Sequence, residues 1–304
     1  MLGNGFYWIF NMSILSSVVG LVIFLVRRIK GMPRRLAVLF WIIPFIRMVV
    51  PVAVNTKYSL MTLLNGVMLK TVIVSKPAEA VEVSQVNFPR LLTSYDPMEY
   101  KADYLKKVFD IAGLLWIVGC VLLLVFFAIQ YVLAMRTARF SECYKDNIRF
   151  SKEAAYPAVY GIIKPVIIIP ASYEGRELKN IILHEQTHIK RHDNLWRVIA
   201  LITVSIHWFN PFAWVFLKAF FSDIELACDE CAIKDLNAEE QKDYALTLLD
   251  SVESRSLTVS PFGGAKISNR IRNIVNFKHV TIGSAICFAL LLVVISVLLL
   301  TNAA

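Results

Sequence analysis

His184 and His188 stand four residues apart in the segment LKNIILHEQTHIKRH, and Glu185 directly follows the first of them. On a helix this spacing puts both imidazoles on one face, where two nitrogens can take two positions around a metal ion. Glu185 is then placed to accept a proton from metal-activated water, which is the chemistry of the H-E-x-x-H pattern. Five letters arise by chance, and the apolar lead-in Ile181–Leu183 also suits a buried structural helix. A catalytic zinc site takes three protein ligands and keeps one position open. The segment SDIELACDE offers the third, because Glu225 and Asp229 are four residues apart and share a helix face. One carboxylate can bind the metal while the other accepts a hydrogen bond from a ligand histidine and so sets its tautomer. We therefore expect one Zn2+ and a hydrolytic site, with Glu185 as general base.

The remaining candidates fit less well. His192 lies a further turn along the same helix, and three ligands on one straight helix do not easily converge on one ion. His207, beside Trp208, either lines a substrate cleft or caps a bend. Tyr244 and His207 are weak candidates for stabilising an oxyanion. Cys228 and Cys231 have redox-like spacing, but no second pair completes a four-sulfur site, so they read as ordinary helix residues. The short run Val166–Ile169, rich in β-branched residues and bounded by prolines, predicts a strand whose edge an extended substrate could join.

These residues must be positioned by a membrane protein. The chain is 57% hydrophobic with a mean hydropathy of +0.59, and the excess lies in long uninterrupted runs rather than one large core. The expected architecture is mainly α: four spanning helices, a membrane-embedded hairpin, and a cytoplasm-facing, gluzincin-like zinc region with a small β element. Residues 1–54 carry the first two spans, Phe6–Val26 and Leu36–Val54. Residues 55–107 form an extracytoplasmic loop, with modest alternation at Ala80–Val86. The third span lies within 108–134, the catalytic region within 135–280, and the last span within 281–304. A proline after Asn210 breaks the apolar run 195–221, which favours two helices in a hairpin over one crossing. Arg27–Arg35 holds five basic residues and no acidic one, so this loop is cytoplasmic and the amino terminus extracytoplasmic. Arg47, inside the second span, is expected to snorkel or to face protein. The formal charge of +9 sits beside apolar runs. It points to a bilayer surface and not to direct nucleic-acid binding.

The segments WIFNMSILSSVVGLVIFLVRRIKGMPRR, KPVIIIP, LHEQTHIKRHDNLW, IHWFNPFAW and DIELACDE, in this order, resemble the BlaR/MecR family of bacterial membrane antirepressor metallopeptidases. The resemblance implies zinc held by His184, His188 and Glu225, Glu185 as the catalytic residue, and Asp229 as the partner of a ligand histidine. It implies a site facing the cytoplasm of a bacterial cell membrane and a cytoplasmic transcriptional repressor as substrate, in antibiotic-responsive signalling, with a homodimer as a further expectation. Some members also cut themselves before the final span, which marks Asn276–Phe277 as the corresponding bond. Sensor members carry an extracellular penicillin-binding domain after the last span. The sequence stops at Ala304 and shows no S-x-x-K/KTG set, so direct β-lactam binding is not expected of it. Two alternatives stand beside this reading: a membrane maturation or quality-control peptidase with similar motifs, and a zinc-stabilised scaffold without hydrolysis.

Overall fold

The computed structural model describes residues 2–29, 31–50, 55–56, 103–253 and 265–303. Most of the expected extracytoplasmic loop, including Ala80–Val86, lies outside these residues. In chain order the elements are α1 (Leu2–Val26), α2 (Arg34–Phe40), α3 (Ile42–Val49), β1 (Asn55–Thr56) and α4 (Asp103–Arg139). Then come β2 (Glu142–Lys145), β3 (Ile148–Ser151), β4 (Ala158–Tyr160), β5 (Val166–Pro170), α5 (Gly175–Lys190), α6 (Asp193–Ile206) and α7 (Pro211–Ile233). The chain ends with α8 (Ala238–Glu253), α9 (Ile267–Val275), α10 (Ile282–Leu300) and β6 (Asn302–Ala303).

Three helices among the described residues are long and apolar enough to cross a membrane: Gly5–Val26, Lys107–Arg136 and Ile282–Leu300. Large apolar side chains such as Leu115, Leu122 and Leu290 stand exposed along α4 and α10, as lipid-facing surfaces do. The second expected span differs from its prediction. It is two short helices, α2 and α3, meeting at Trp41, and residues 51–54 lie outside the described part. Pro44 explains the break: it has no N–H to give to the carbonyl of Phe40, one turn earlier. Arg47 is buried and reaches the Leu300 carbonyl at 3.5 Å, so it faces protein.

The apolar run 195–221 is likewise two helices, α6 and α7, joined through His207–Asn210. Pro211 is the first residue of α7, where its missing N–H costs nothing, and Asn210 caps it by accepting from the Phe212 N–H at 3.0 Å. α7 packs along α1 and α2, with Phe216, Leu217 and Phe220 meeting Leu15, Val19, Phe40 and Trp41 in the main core. Gly20 permits this approach, since a Cβ there would lie 2.1 Å from the Phe216 ring.

The β element is larger than one strand. Its order is β2-β3-β5-β4, with β3 parallel and β4 antiparallel to β5. Ile167 and Ile169 of β5 pack with Ile148 on Ile181 of α5, which fixes the H-E-x-x-H helix against the sheet. This placement overturns the expected substrate edge at Val166–Ile169, because β5 is an inner strand paired on both sides. The edge at β4 is also engaged: Asn194 donates its side-chain amide to the carbonyls of Val159 and Gly161 at 3.0 and 3.1 Å.

Candidate metal centre

α5 carries His184, Glu185 and His188, all buried. The two imidazoles turn their Nε2 atoms toward each other, 3.1 Å apart. The partners of the other ring nitrogens decide what faces inward. His188 Nδ1 lies 2.7 Å from Asp193 Oδ2; an ionised carboxylate only accepts, so this nitrogen carries the proton. His184 Nδ1 lies 2.8 Å from the Tyr244 hydroxyl, which donates onward to Asp229 Oδ1 at 2.9 Å. The hydroxyl's single proton is thereby used, and His184 Nδ1 must donate to its oxygen. Both Nε2 atoms are left with lone pairs aimed at each other. Two lone pairs at this separation need a positive charge between or beside them.

α7 supplies the acidic side. Glu225 places Oε2 3.7 Å from His184 Nε2 and Oε1 3.8 Å from His188 Nε2. Around a tetrahedral ion with bonds of about 2.0–2.1 Å, donor atoms stand roughly 3.3 Å apart, so these three groups are near such an arrangement. Cys228, one turn further along α7, also belongs to the cluster. The ligand atoms of His184, His188 and Cys228 all lie within 4.8 Å of one another, and a three-donor set suited to a metal ion is therefore present. Its sulfur lies 3.6 Å from His184 Nδ1 and 3.4 Å from the His184 carbonyl.

Charge holds the assembly. Glu225 pairs with Arg197 of α6 and lies 3.5 Å from Arg270 Nη1 of α9. Burial works against its ionisation, yet the two histidines and two arginines hold its carboxyl well below the usual carboxylate range. Asp229 is buried too, and Arg270, at 2.7 Å through both Nε and Nη2, with His184 keeps it down at about 2. For His188, burial disfavours the cation, but Cys228, Asp193 and Glu225 outweigh it and raise the imidazole to about 9. The site thus prefers added positive charge at the histidine pair, which a divalent cation supplies.

Each partner has a local reason to be where it is. α5 ends at Lys190, and His192 adopts a left-handed backbone with φ of 55°. The chain reverses there, and Asp193 at the start of α6 returns onto His188. This removes His192 from the face of the pair; it is exposed. A capping box at Asn237 and Glu240, each side chain bonding the other's N–H at 3.0 and 3.1 Å, starts α8. Tyr244 then falls on the buried face with Leu248. α9 buries Arg270 and Ile274, four residues apart, on one face.

The structure therefore brings His184, His188, Glu225 and Asp229 together, with Asp229 Oδ1 3.4 Å from His184 Nδ1, and Glu185 is buried beside His184 on α5. Sequence reasoning passed over Asp193, Arg197 and Arg270 and gave Cys228 no role. A lone arginine in the apolar stretch LWRVIA was the one visible signal, since a charge there must find a partner. His207 is elsewhere: fully buried, it accepts from Ser13 Oγ at 2.8 Å through Nδ1 and donates to the Met48 carbonyl at 3.0 Å. It closes the joint between α1, α3 and the α6–α7 turn and lines no cleft. Asn276 caps the end of α9 in an exposed position, and Phe277 packs against the small core around Tyr244.

The family model described as BlaR1 peptidase M56 matches residues 7–275. The regulatory protein BlaR1 of Bacillus licheniformis is 30% identical over 152 residues, 44% of this chain and 25% of that protein. BlaR1 of Staphylococcus aureus is 31% identical over 154 residues, 47% of this chain and 26% of the relative. The methicillin resistance mecR1 protein of Staphylococcus aureus is 31% identical over 107 residues, covering 34% and 18%. The matched stretches thus span about a quarter or less of the length of these curated relatives. The family match runs unbroken from Tyr7 in the first helix to Val275 at the end of α9 and takes in every residue of the metal centre, so this chain belongs to the BlaR1 peptidase M56 family.

Proposed function

We propose that this chain is a membrane zinc endopeptidase that cleaves a cytoplasmic repressor, itself at Asn276–Phe277, or both. The observation that carries the reading is the pair of inward-facing Nε2 atoms 3.1 Å apart, opposed by the Glu225 carboxylate. His184, His188 and Glu225 would hold one Zn2+. Glu225 is preferred to Cys228 because it lies on the lone-pair side of both rings, whereas the Cys228 sulfur lies beside the protonated Nδ1 of His184. When bound, zinc acidifies water and polarises a carbonyl. Glu185, buried and next to His184 on the same helix, takes a proton from the attacking water and returns it to the leaving amine. Tyr244 and Asp193 keep the two imidazoles in the tautomer that presents Nε2. Asp229 acts through Tyr244 and Arg270.

The topology that accompanies this reading has four spans, α2 and α3 together forming the second and the α6–α7 hairpin entering the membrane without crossing it. The basic run after α1 puts the amino terminus outside and the metal centre on the cytoplasmic side of a bacterial cell membrane. The names of the relatives, a regulatory protein and a methicillin resistance protein, support a signalling role related to antibiotics.

The test combines metal analysis with mass spectrometry of peptide products on the detergent-purified chain and a candidate repressor. Glu185→Gln should keep zinc and lose cleavage by about a hundred- to ten-thousand-fold. Unchanged cleavage would remove Glu185 from the reaction. Stoichiometric zinc without wild-type cleavage of any candidate would favour a scaffold. Cobalt substitution settles the third ligand independently of activity: the Glu225 assignment predicts no thiolate-to-cobalt charge-transfer band, and a strong one would transfer the role to Cys228.

A further inference from the structure

α1 ends at Val26, and the chain turns through Arg27 and Arg28 toward α2. A half-open groove of about 320 Å³ lies at this turn, between α1, α7 and α9. It is lined by Arg27, Arg34 and Arg272 and by Asn269, Asn273 and Asn276, with no carboxylate among its lining residues. Two carboxylates lie beside these arginines. Asp223 Oδ2 takes Arg27 Nε at 3.2 Å and the Trp41 indole N–H at 2.8 Å, while its Oδ1 is buried without a hydrogen-bond partner, 3.9 Å from Arg34 Nη1. Glu230 takes the Arg34 N–H at 2.8 Å. Arg27 Nη1 is buried and has no hydrogen-bond partner. A buried guanidinium N–H without an acceptor is costly, and three guanidiniums converging on one groove suit an oxyanion, while the Asn273 and Asn276 amides donate to the Leu226 and Arg272 carbonyls.

We propose that this groove binds a phosphate-bearing anion, and that the anion is the headgroup of an acidic phospholipid. The depth supports the lipid source. Arg27 is the first residue after the apolar run of α1, which places it at headgroup level, where basic pockets between membrane helices take anionic headgroups. The site is separate from the metal centre but shares its walls. Leu226 follows Glu225 on α7, and Asn269 precedes Arg270 on α9. An occupied groove ties α9 to α7 and to the end of α1, and so holds Arg270 against the metal site.

The experiment uses the full chain in nanodiscs of phosphatidylglycerol or phosphatidylcholine, with retained lipid counted by native mass spectrometry. A parallel arm titrates delipidated protein with inorganic phosphate and follows its unfolding temperature. Wild type should retain phosphatidylglycerol in preference to phosphatidylcholine, and Arg272→Gln should weaken that retention about five-fold. Arg272→Lys should restore part of it. Arg28→Gln, an exposed arginine at the same turn that does not line the groove, should leave it unchanged. Stabilisation by inorganic phosphate that is lost in Arg272→Gln, without preference between the two lipids, would keep the anion site and overturn the lipid source. Equal retention by wild type and Arg272→Gln, or equal loss in Arg28→Gln, would overturn the site itself.

Discussion

Two buried histidine clusters lie at opposite ends of α7, and they are built from different materials. At its amino-terminal end His207 meets only neutral groups: the Ser13 hydroxyl, the Met48 carbonyl and, close by, Asn210, which donates to Ser17 Oγ at 2.9 Å. Every donor there has an acceptor, and no atom is left pointing into space. Toward the carboxyl end, His184 and His188 are surrounded by Asp193, Glu225, Asp229, Arg197 and Arg270, and two ring nitrogens face each other 3.1 Å apart where the surroundings favour a positive charge. Burial of a histidine therefore says little about its role. The closed neutral network is joinery between helices, and the charged network that leaves lone pairs converging is a site.

Breaking each cluster should have a different signature. The largest effect is expected from His188→Ala, which should abolish stoichiometric zinc binding. His207→Ala should leave the metal content unchanged and instead destabilise the chain, by about 1–3 kcal/mol, because Ser13 and Met48 lose their partner. Metal analysis beside thermal unfolding of both variants tests the contrast, and zinc loss in His207→Ala would erase it. Next, Asp193→Ala should lower zinc affinity about 10- to 100-fold by freeing the His188 ring, as measured by competition with a chelator.

Asp229 sharpens the comparison through pH. Its folded value of about 2 lies below the ordinary 3.8. A lowered carboxylate contributes stability that is present above the unfolded value and is lost as pH falls through the folded one. The contribution is about 2 kcal/mol, lost between pH 3.8 and about 2. Acid unfolding should be shallower across this window in Asp229→Asn. The smallest effect is expected at His192, whose left-handed backbone costs a non-glycine residue about 1–2 kcal/mol. His192→Gly should be neutral or slightly stabilising with zinc content unchanged. Marked loss of zinc in that variant would give the side chain a role that the geometry does not.

Much of the centre was legible beforehand because it is local. Helical periodicity alone puts His184 beside His188 and Glu225 beside Asp229, and a long apolar run such as Ile282–Leu300 can do little but span. The second span was legible as apolar, but its break at Trp41 depends on one missing hydrogen bond, which Pro44 announces only in retrospect. Val166–Ile169 was legible as a strand, but not as an inner one, because strand order is a property of four segments and not of one.

The sequence by itself determined which residue types stand at helical spacing and how much of the chain must meet lipid, since both follow from periodicity and hydropathy along a continuous backbone. Only the tertiary structure decided that Asp193 and Tyr244 orient the imidazoles, that Arg197 and Arg270 bracket Glu225, and that His207 is sealed away. Those pairings join residues from separate helices, up to 194 positions apart for Ser13 and His207, and no repeat or spacing rule connects them. Their proximity is a result of packing: close approaches such as Gly20 on Phe216 set where each helix lies and which side chains share the enclosed space.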